Sequence, residues 1–346
     1  MLGSDSHLRR MGRVAVTVLA LLAMNSSSAA AQFSNLFFFG DSFTDTGNAQ
    51  FLGPLNGLSN PTPPPYFNGR FSNGPNWADI FAARLGRASD VNPAFVPPTP
   101  GNNYAIGGAT TGFTGSGGTL SGMQSQLSQF TTDRSSGVAP GALYVLWGGG
   151  NDIIDAVALG SPIAQLQAVQ TAATNMIGMV NFLRSTFGGV NFLIPLLPDA
   201  GSSPLFIGNP TGSATASSLT RTFNQFLAQG ILGLNVANPG LNARTLALDN
   251  LLTNVKIDAA AGGLLYGITN TVLPCFSPAP GTPSCSTSLF IDPLHPTTKM
   301  DALIANAAYD RVVLGRDVAV IPEPSTVALM GFGVAIVGVV ARRRRA

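Results

Sequence analysis

The chain has 346 residues, with only 10% charged side chains, 40 glycines and 25 prolines, a composition that suits an exported, loop-rich protein better than a cytosolic one. Its formal charge of +2 misleads, because seven arginines sit at the two ends: Arg9, Arg10 and Arg13 near the start, and Arg342 to Arg345 at the close. Without residues 1–31 and 325–346 the balance is 11 basic to 15 acidic side chains, so no basic surface remains for nucleic acid, and that class of partner is excluded.

The first element is a leader. Arg9, Arg10 and Arg13 precede the apolar run Val14–Met24, and small residues follow up to Ala29-Ala30-Ala31. This predicts a signal peptide over residues 1–31, cut by signal peptidase to leave Gln32 at the new N-terminus. The apolar core is too short to span a membrane comfortably. Phe37-Phe38-Phe39 then reads as a buried strand that stops abruptly at Gly40-Asp41-Ser42. Such a turn sets Ser42 at the carboxyl edge of a sheet, where open α/β folds place their chemistry. The bland alternative is a cap for a following helix.

Asn48–Phe71, with Pro61 and Pro63-Pro64-Pro65, reads as a stiff loop. Asn76–Leu85 has helical spacing of Trp77, Ile80, Phe81 and Leu85. Asn102–Thr110 is a short apolar stub ending in Gly107-Gly108, where backbone can approach a ligand. Met123–Phe130 predicts a helix and Ala142–Trp147 a buried strand that ends in Gly148-Gly149-Gly150-Asn151-Asp152. Ser161-Pro162 opens a long helix that Gly188-Gly189 ends. Val190–Leu197 and Leu241–Leu248 predict strands, and Ser217–Gln229 and Thr298–Leu314 predict helices. Strands alternating with helices imply a parallel sheet covered on both faces. Cys275 and Cys285, the only cysteines, are expected to pair in an exported chain. A clip of that loop length contributes ~2–3 kcal/mol in the chain-entropy model.

The tail carries Pro322-Glu323-Pro324, then the apolar stretch Val327–Val340, then Arg342 to Arg345. An apolar run followed by arginines reads as a membrane helix with its basic end inside, though one that barely reaches spanning length.

Outside the leader and the tail, His295 is the only histidine and no glutamate occurs. A two-histidine zinc site within the chain is ruled out, and a glycosidase would need a pair of aspartates. No cofactor or metal is expected. What remains is the equipment of acyl transfer. Ser42 needs a base, which His295 can be. Asp292, three residues before it, can hold the far ring nitrogen. The N–H groups of Ser42 and Gly108 (or its neighbour Gly107) and the amide of Asn151 can bind an oxyanion. Each piece has a bland reading as a turn or helix cap; their order along the chain argues against coincidence. No Gly-x-Ser-x-Gly occurs, so nucleophile-elbow hydrolases fit poorly.

Gly40-Asp41-Ser42-Phe43, Asn103-Tyr104-Ala105-Ile106-Gly107-Gly108, Gly149-Gly150-Asn151-Asp152 and Asp292-Pro293-Leu294-His295-Pro296 resemble the four marked blocks of the GDSL (SGNH) hydrolases. Gly69 to Trp77, Leu197 to Gly201 and Tyr266 to Asn270 are similar to the lipase/lecithinase/hemolysin-type esterases among them. The resemblance implies a three-layer α/β/α sandwich with a parallel, flavodoxin-like sheet over residues 32–318. It also implies Ser42 as nucleophile, Asp292 and His295 as its partners, and Ser42, Gly108 and Asn151 as oxyanion donors. The substrate would be an acyl ester, of a lipid or of an acylated glycan. A polysaccharide O-acetylesterase and a catalytically silent matrix protein on the same fold are the alternatives; a glycan-binding module, with two Trp and five Tyr, is thinly supported. Residues 319–346 resemble a PEP-CTERM sorting signal, which implies an exosortase as processing enzyme, transient membrane insertion, and passage through the periplasm to the surface or matrix of a Gram-negative bacterium.

Overall fold

The structure, a computed structural model, describes residues 33–321 apart from 57–59, 99, 119–120 and 277–280. The leader and the tail from Pro322 lie outside the described residues.

Four parallel strands form the sheet: β1 (Leu36–Gly40), β2 (Leu143–Trp147), β3 (Asn191–Pro195) and β4 (Asn242–Leu246), in that spatial order. β1 and β2 are buried along their whole length, which is why they read as continuous apolar runs rather than alternating ones. The predicted stub runs along the outer edge of β1. Phe38 N–H donates to Asn102 O at 3.0 Å, Tyr104 N–H to Phe38 O at 2.8 Å and Ile106 N–H to Gly40 O at 3.1 Å. With this segment counted, chain order across the sheet is 2-1-3-4-5, the flavodoxin-like order. The order reverses between β1 and β2, and the crevice at the carboxyl ends there is where such sheets take ligands.

The side chains of β1 alternate between two helical layers. Phe38 meets Trp77 and Phe81 of α2 (Trp77–Arg84) on one face. Phe37 and Phe39 meet Phe130 of α3 (Met123–Asp133) on the other. Helix α8 (Thr298–Val313) packs on α2. Helix α5 (Pro162–Phe187) reaches α3 through the Phe130–Phe187 ring pair, and α6 (Pro210–Ala237) packs on α5. The molecule is an α/β sandwich of three layers.

Local signals account for several helix ends. Asn76 accepts from Ala78 and Asp79 N–H while Asp79 reaches back, a full capping box. Ser161 caps α5, Pro162 opens it and Gly188 ends it at φ 66°. Other elements depart from expectation. The loop predicted over Asn48–Phe71 begins as helix α1 (Asn48–Asn56), because the carboxylate of Asp45 takes the N–H groups of Gly47, Asn48 and Ala49. The residues after β2 are not an extended strand end: Gly149, at φ 110°, turns the chain straight into α4 (Gly150–Val157), so Asn151 lies in a first helical turn. Helix α6 starts at Pro210 rather than Ser217, since Asn209 caps it, and α7 (Leu248–Ala260) fills a stretch for which no helix is predicted. Cys275 and Cys285 are disulfide-bonded with Cα atoms 5.0 Å apart. Among the described residues no helix is long and apolar enough to cross a membrane, and the apolar stretch of the tail lies outside them.

Candidate active site

Gly40 closes β1 so tightly that a Cβ there would lie 2.3 Å from Trp147 O. Gln126 grips both its backbone groups, accepting from the N–H at 3.0 Å and donating to the carbonyl at 2.7 Å. The chain then turns: Asp41 O accepts from Thr44 and Asp45 N–H, both at 3.0 Å. Ser42 sits at the apex of that turn, buried but beside a cavity.

His295 arrives from the segment before α8. Its Nε2 lies 2.8 Å from Ser42 Oγ and its Nδ1 lies 2.7 Å from Asp292 Oδ2. The three-residue spacing works because the chain turns around the carboxylate itself: Asp292 Oδ1 accepts from Leu294 N–H at 2.8 Å and His295 N–H at 2.7 Å. Two rings fix the imidazole plane. Phe71 lies against it at 4.9 Å between centroids, and Phe43 meets it edge-on at 5.7 Å. Burial works against the charge of Asp292, but His295 and the hydrogen bonds outweigh it and hold this carboxyl well below the usual range.

One of those hydrogen bonds comes from a residue without a motif of its own. Tyr66 Oη donates to Asp292 Oδ2 at 2.6 Å. Its own ionisation is pushed up by burial and by the neighbouring carboxylate, so it is a donor at any working pH. Tyr66 follows the proline run, and nothing in its spacing ties it to residues more than two hundred positions away.

The oxyanion candidates lie around the same point. Gly107 N–H is committed to Asp45 Oδ2 at 2.8 Å, whereas Gly108, at φ 82°, has an N–H with no partner among the described residues. Ser42 N–H is likewise unengaged among them. Asn151 donates one amide hydrogen to Ala109 O at 2.9 Å and keeps the other. The loop bearing Gly108 is pinned twice. Asp45 binds it from the nucleophile side, and Asp152 accepts from Thr111 N–H at 2.9 Å and from Thr111 Oγ1 at 2.8 Å on the other. Burial raises the pKa of Asp45 to about 6, opposed by the four N–H groups that surround its two oxygens.

A cavity of about 70 Å³ opens beside Ser42 and Asn151. Its walls are mostly apolar: Trp147, Ile154, Leu197, Leu252, Met300 and Ile304 among them. Asp41 also borders it. Burial pushes that carboxyl up to about 7, against the Phe43 N–H and His295 and with the help of Asp152. Among the described residues no group of three or more His, Cys, Asp or Glu side chains is placed to hold a metal ion.

A GDSL-like lipase/acylhydrolase model matches residues 36–308. The chain belongs to that family. A PEP-CTERM protein-sorting motif matches residues 320–345, and such a motif marks export and sorting in Gram-negative bacteria. Esterase EstA of Pseudomonas aeruginosa is 30% identical over 345 residues, covering 90% of this chain and 51% of that protein. A phosphatidylcholine-sterol acyltransferase of Aeromonas hydrophila is 28% identical over 273 residues, covering 75% of this chain and 71% of that one. The chain spans about half the length of the Pseudomonas relatives it matches. Among solved structures, a lipolytic G-D-S-L family protein from Veillonella parvula is 14% identical with a TM-score of 0.41, covering 82% of this chain and 98% of that one.

Proposed function

We propose that this GDSL-family chain is an exported serine hydrolase of carboxylic esters that works through an acyl-enzyme on Ser42. The observation that carries the reading is the unbroken line Ser42–His295–Asp292 at the mouth of an apolar cavity. His295 Nε2 takes the Ser42 proton as Oγ attacks the ester carbonyl. The charge on the carbonyl oxygen is met by Ser42 N–H, Gly108 N–H and the spare amide hydrogen of Asn151. Collapse expels the alcohol, which takes the proton from His295. Water, deprotonated by His295, then attacks the acyl-enzyme and frees the acid and Ser42. Asp292 orients the ring and stabilises the imidazolium throughout.

The cavity favours an aliphatic acyl group over acetyl, because an acetyl group would leave most of the apolar wall without contacts. The PEP-CTERM motif implies processing by an exosortase. The enzyme domain is proposed over residues 32–318, after a signal peptide removed by signal peptidase. An exosortase cut near Pro324 would release it from a provisional membrane hold to the cell surface or matrix, and a C-terminal peptide still carrying Val327 to Ala346 in the native product would contradict that cut. A fluorophosphonate probe tests the chemistry. It is expected to add to Ser42 in the wild type and not in Ser42→Ala, and hydrolysis of p-nitrophenyl esters to rise from acetate towards octanoate. Asp292→Asn is expected to lose less activity than His295→Ala. Full turnover by Ser42→Ala, or a preference for acetylated xylan over every longer acyl ester, contradicts the proposal.

A further inference from the structure

Three separate segments converge on the stretch that carries the triad acid. Tyr66 donates to Asp292, Leu205 N–H donates to Pro293 O at 2.8 Å, and Phe276 N–H donates to Ile291 O at 2.9 Å. Each of these segments also turns a large apolar side chain to solvent: Phe67 at 38% exposure, Leu205 at 44%, Ile207 at 50% and Phe276 at 53%. Single exposed apolar residues are ordinary on any protein. Their attachment to one three-residue stretch, Ile291 to Pro293, beside the catalytic histidine is what sets these apart. The chain from Ala259 to Ile291, which contributes Phe276, has no charged side chain at all.

We infer that these residues form an apolar rim that seats the catalytic mouth on an uncharged lipid–water interface. The inference rests on the aliphatic-ester reading above and adds the physical state in which the substrate is met. The position of the rim selects the occupant. A protein partner or a second copy seated here would cover the cavity beside Ser42, whereas a lipid surface delivers substrate into it. The rim also continues the cavity, since Leu289, Phe290 and Leu294 line the one and flank the other. The basic side chains nearest the rim are engaged, Arg70 with Asp79 and Lys256 with Ser202 Oγ, so attachment depends on buried apolar area more than on anionic headgroups, and salt and lipid charge matter little.

The test uses the full chain carrying Ile207→Trp, with and without Ser42→Ala, and vesicles of phosphatidylcholine alone. The native Trp77 and Trp147 are fully buried, so the new indole reports the rim. Its emission is expected to shift to the blue on vesicles, and to do so equally in about 1 M salt, where the Debye length is about 3 Å. The triple variant Leu205→Ser, Ile207→Ser and Phe276→Ser retains the tail and should lose at least tenfold more activity on micellar dioctanoylphosphatidylcholine than on monomeric p-nitrophenyl butyrate. An unshifted indole in a chain that still hydrolyses soluble esters overturns the rim and leaves the hydrolase intact. A shift that follows protein concentration instead of lipid points to a second copy and also overturns it. A shift that persists in a chain with no esterase activity supports the rim and sinks the hydrolase reading alone.

Discussion

Asp292 Oδ2 accepts from two side chains at once, His295 Nδ1 and Tyr66 Oη. A second donor disperses the carboxylate charge and weakens its pull on the imidazolium. Tyr66 is therefore a positioning residue for the triad acid. In Tyr66→Phe the ring stays and the donor goes. Asp292 remains ionised and attracts the imidazolium more strongly, and the acid limb of kcat/KM is expected to move to higher pH, while plateau kcat changes by less than about tenfold. The other titratable neighbour of the ring, Asp41, is untouched by the change. A pH–rate profile is the measurement. An unmoved limb together with a lower melting temperature would reduce Tyr66 to a strut. This residue also marks the limit of legibility at this scale. His295 stands out as the one histidine outside the leader, and Ser42 and Asp292 through the blocks they sit in, whereas a tyrosine after prolines looks like any other.

At the scale of elements, reading succeeded where local signals suffice and failed where a distant group supplies them. β1 and β2 are legible as apolar runs ended by glycine, α2 through the spacing of its apolar residues, and α5 through Ser161-Pro162 at its start and Gly188-Gly189 at its end. Helix α1 is hidden because its first turn is satisfied by Asp45, a residue that the sequence presents as one more polar turn position. Asp45 in fact joins three pieces: the nucleophile turn, α1 and, through Gly107, the loop that offers Gly108. All four hydrogen bonds to it come from N–H groups, so an amide in its place would face donors with a donor. Asp45→Asn is expected to cost about 2–4 kcal/mol of stability, the scale of one or two buried N–H groups left unpaired. It should also lower kcat more than it raises KM, since Gly108 is then held on one side only, by Asp152 through Thr111. Chemical denaturation and steady-state kinetics check the two halves. A stable variant with unchanged kcat would show that the loop does not depend on this carboxylate.

At the scale of the molecule, the unusual feature is a set of buried carboxyl groups that, among the described residues, have no Lys or Arg in a salt bridge with them. Burial raises Asp41 to about 7 and Asp45 to about 6, and it also raises Asp152 and Asp301, whose Oδ2 accepts from Ser72 Oγ at 2.7 Å. A carboxyl with a raised folded-state pKa contributes stability that is complete below its unfolded value of 3.8 and is lost as pH rises through the folded value. Asp292 has the opposite sign: its contribution is complete above 3.8 and is lost only as pH falls below that value, so it adds no slope at higher pH. Between about pH 4 and 8 the raised group therefore dominates, and the melting temperature is expected to fall as pH rises, the reverse of ordinary acid denaturation. Asp301 lies in the first turn of α8, away from the reacting atoms, and is the place to test this. Asp301→Asn cannot ionise, so it should flatten the profile and raise the melting temperature at pH 8 while changing it little at pH 4. Calorimetry across that range decides the matter: a wild-type melting temperature that climbs with pH would mean that these carboxylates are stabilised as anions in the fold, and that burial is not the force that governs them.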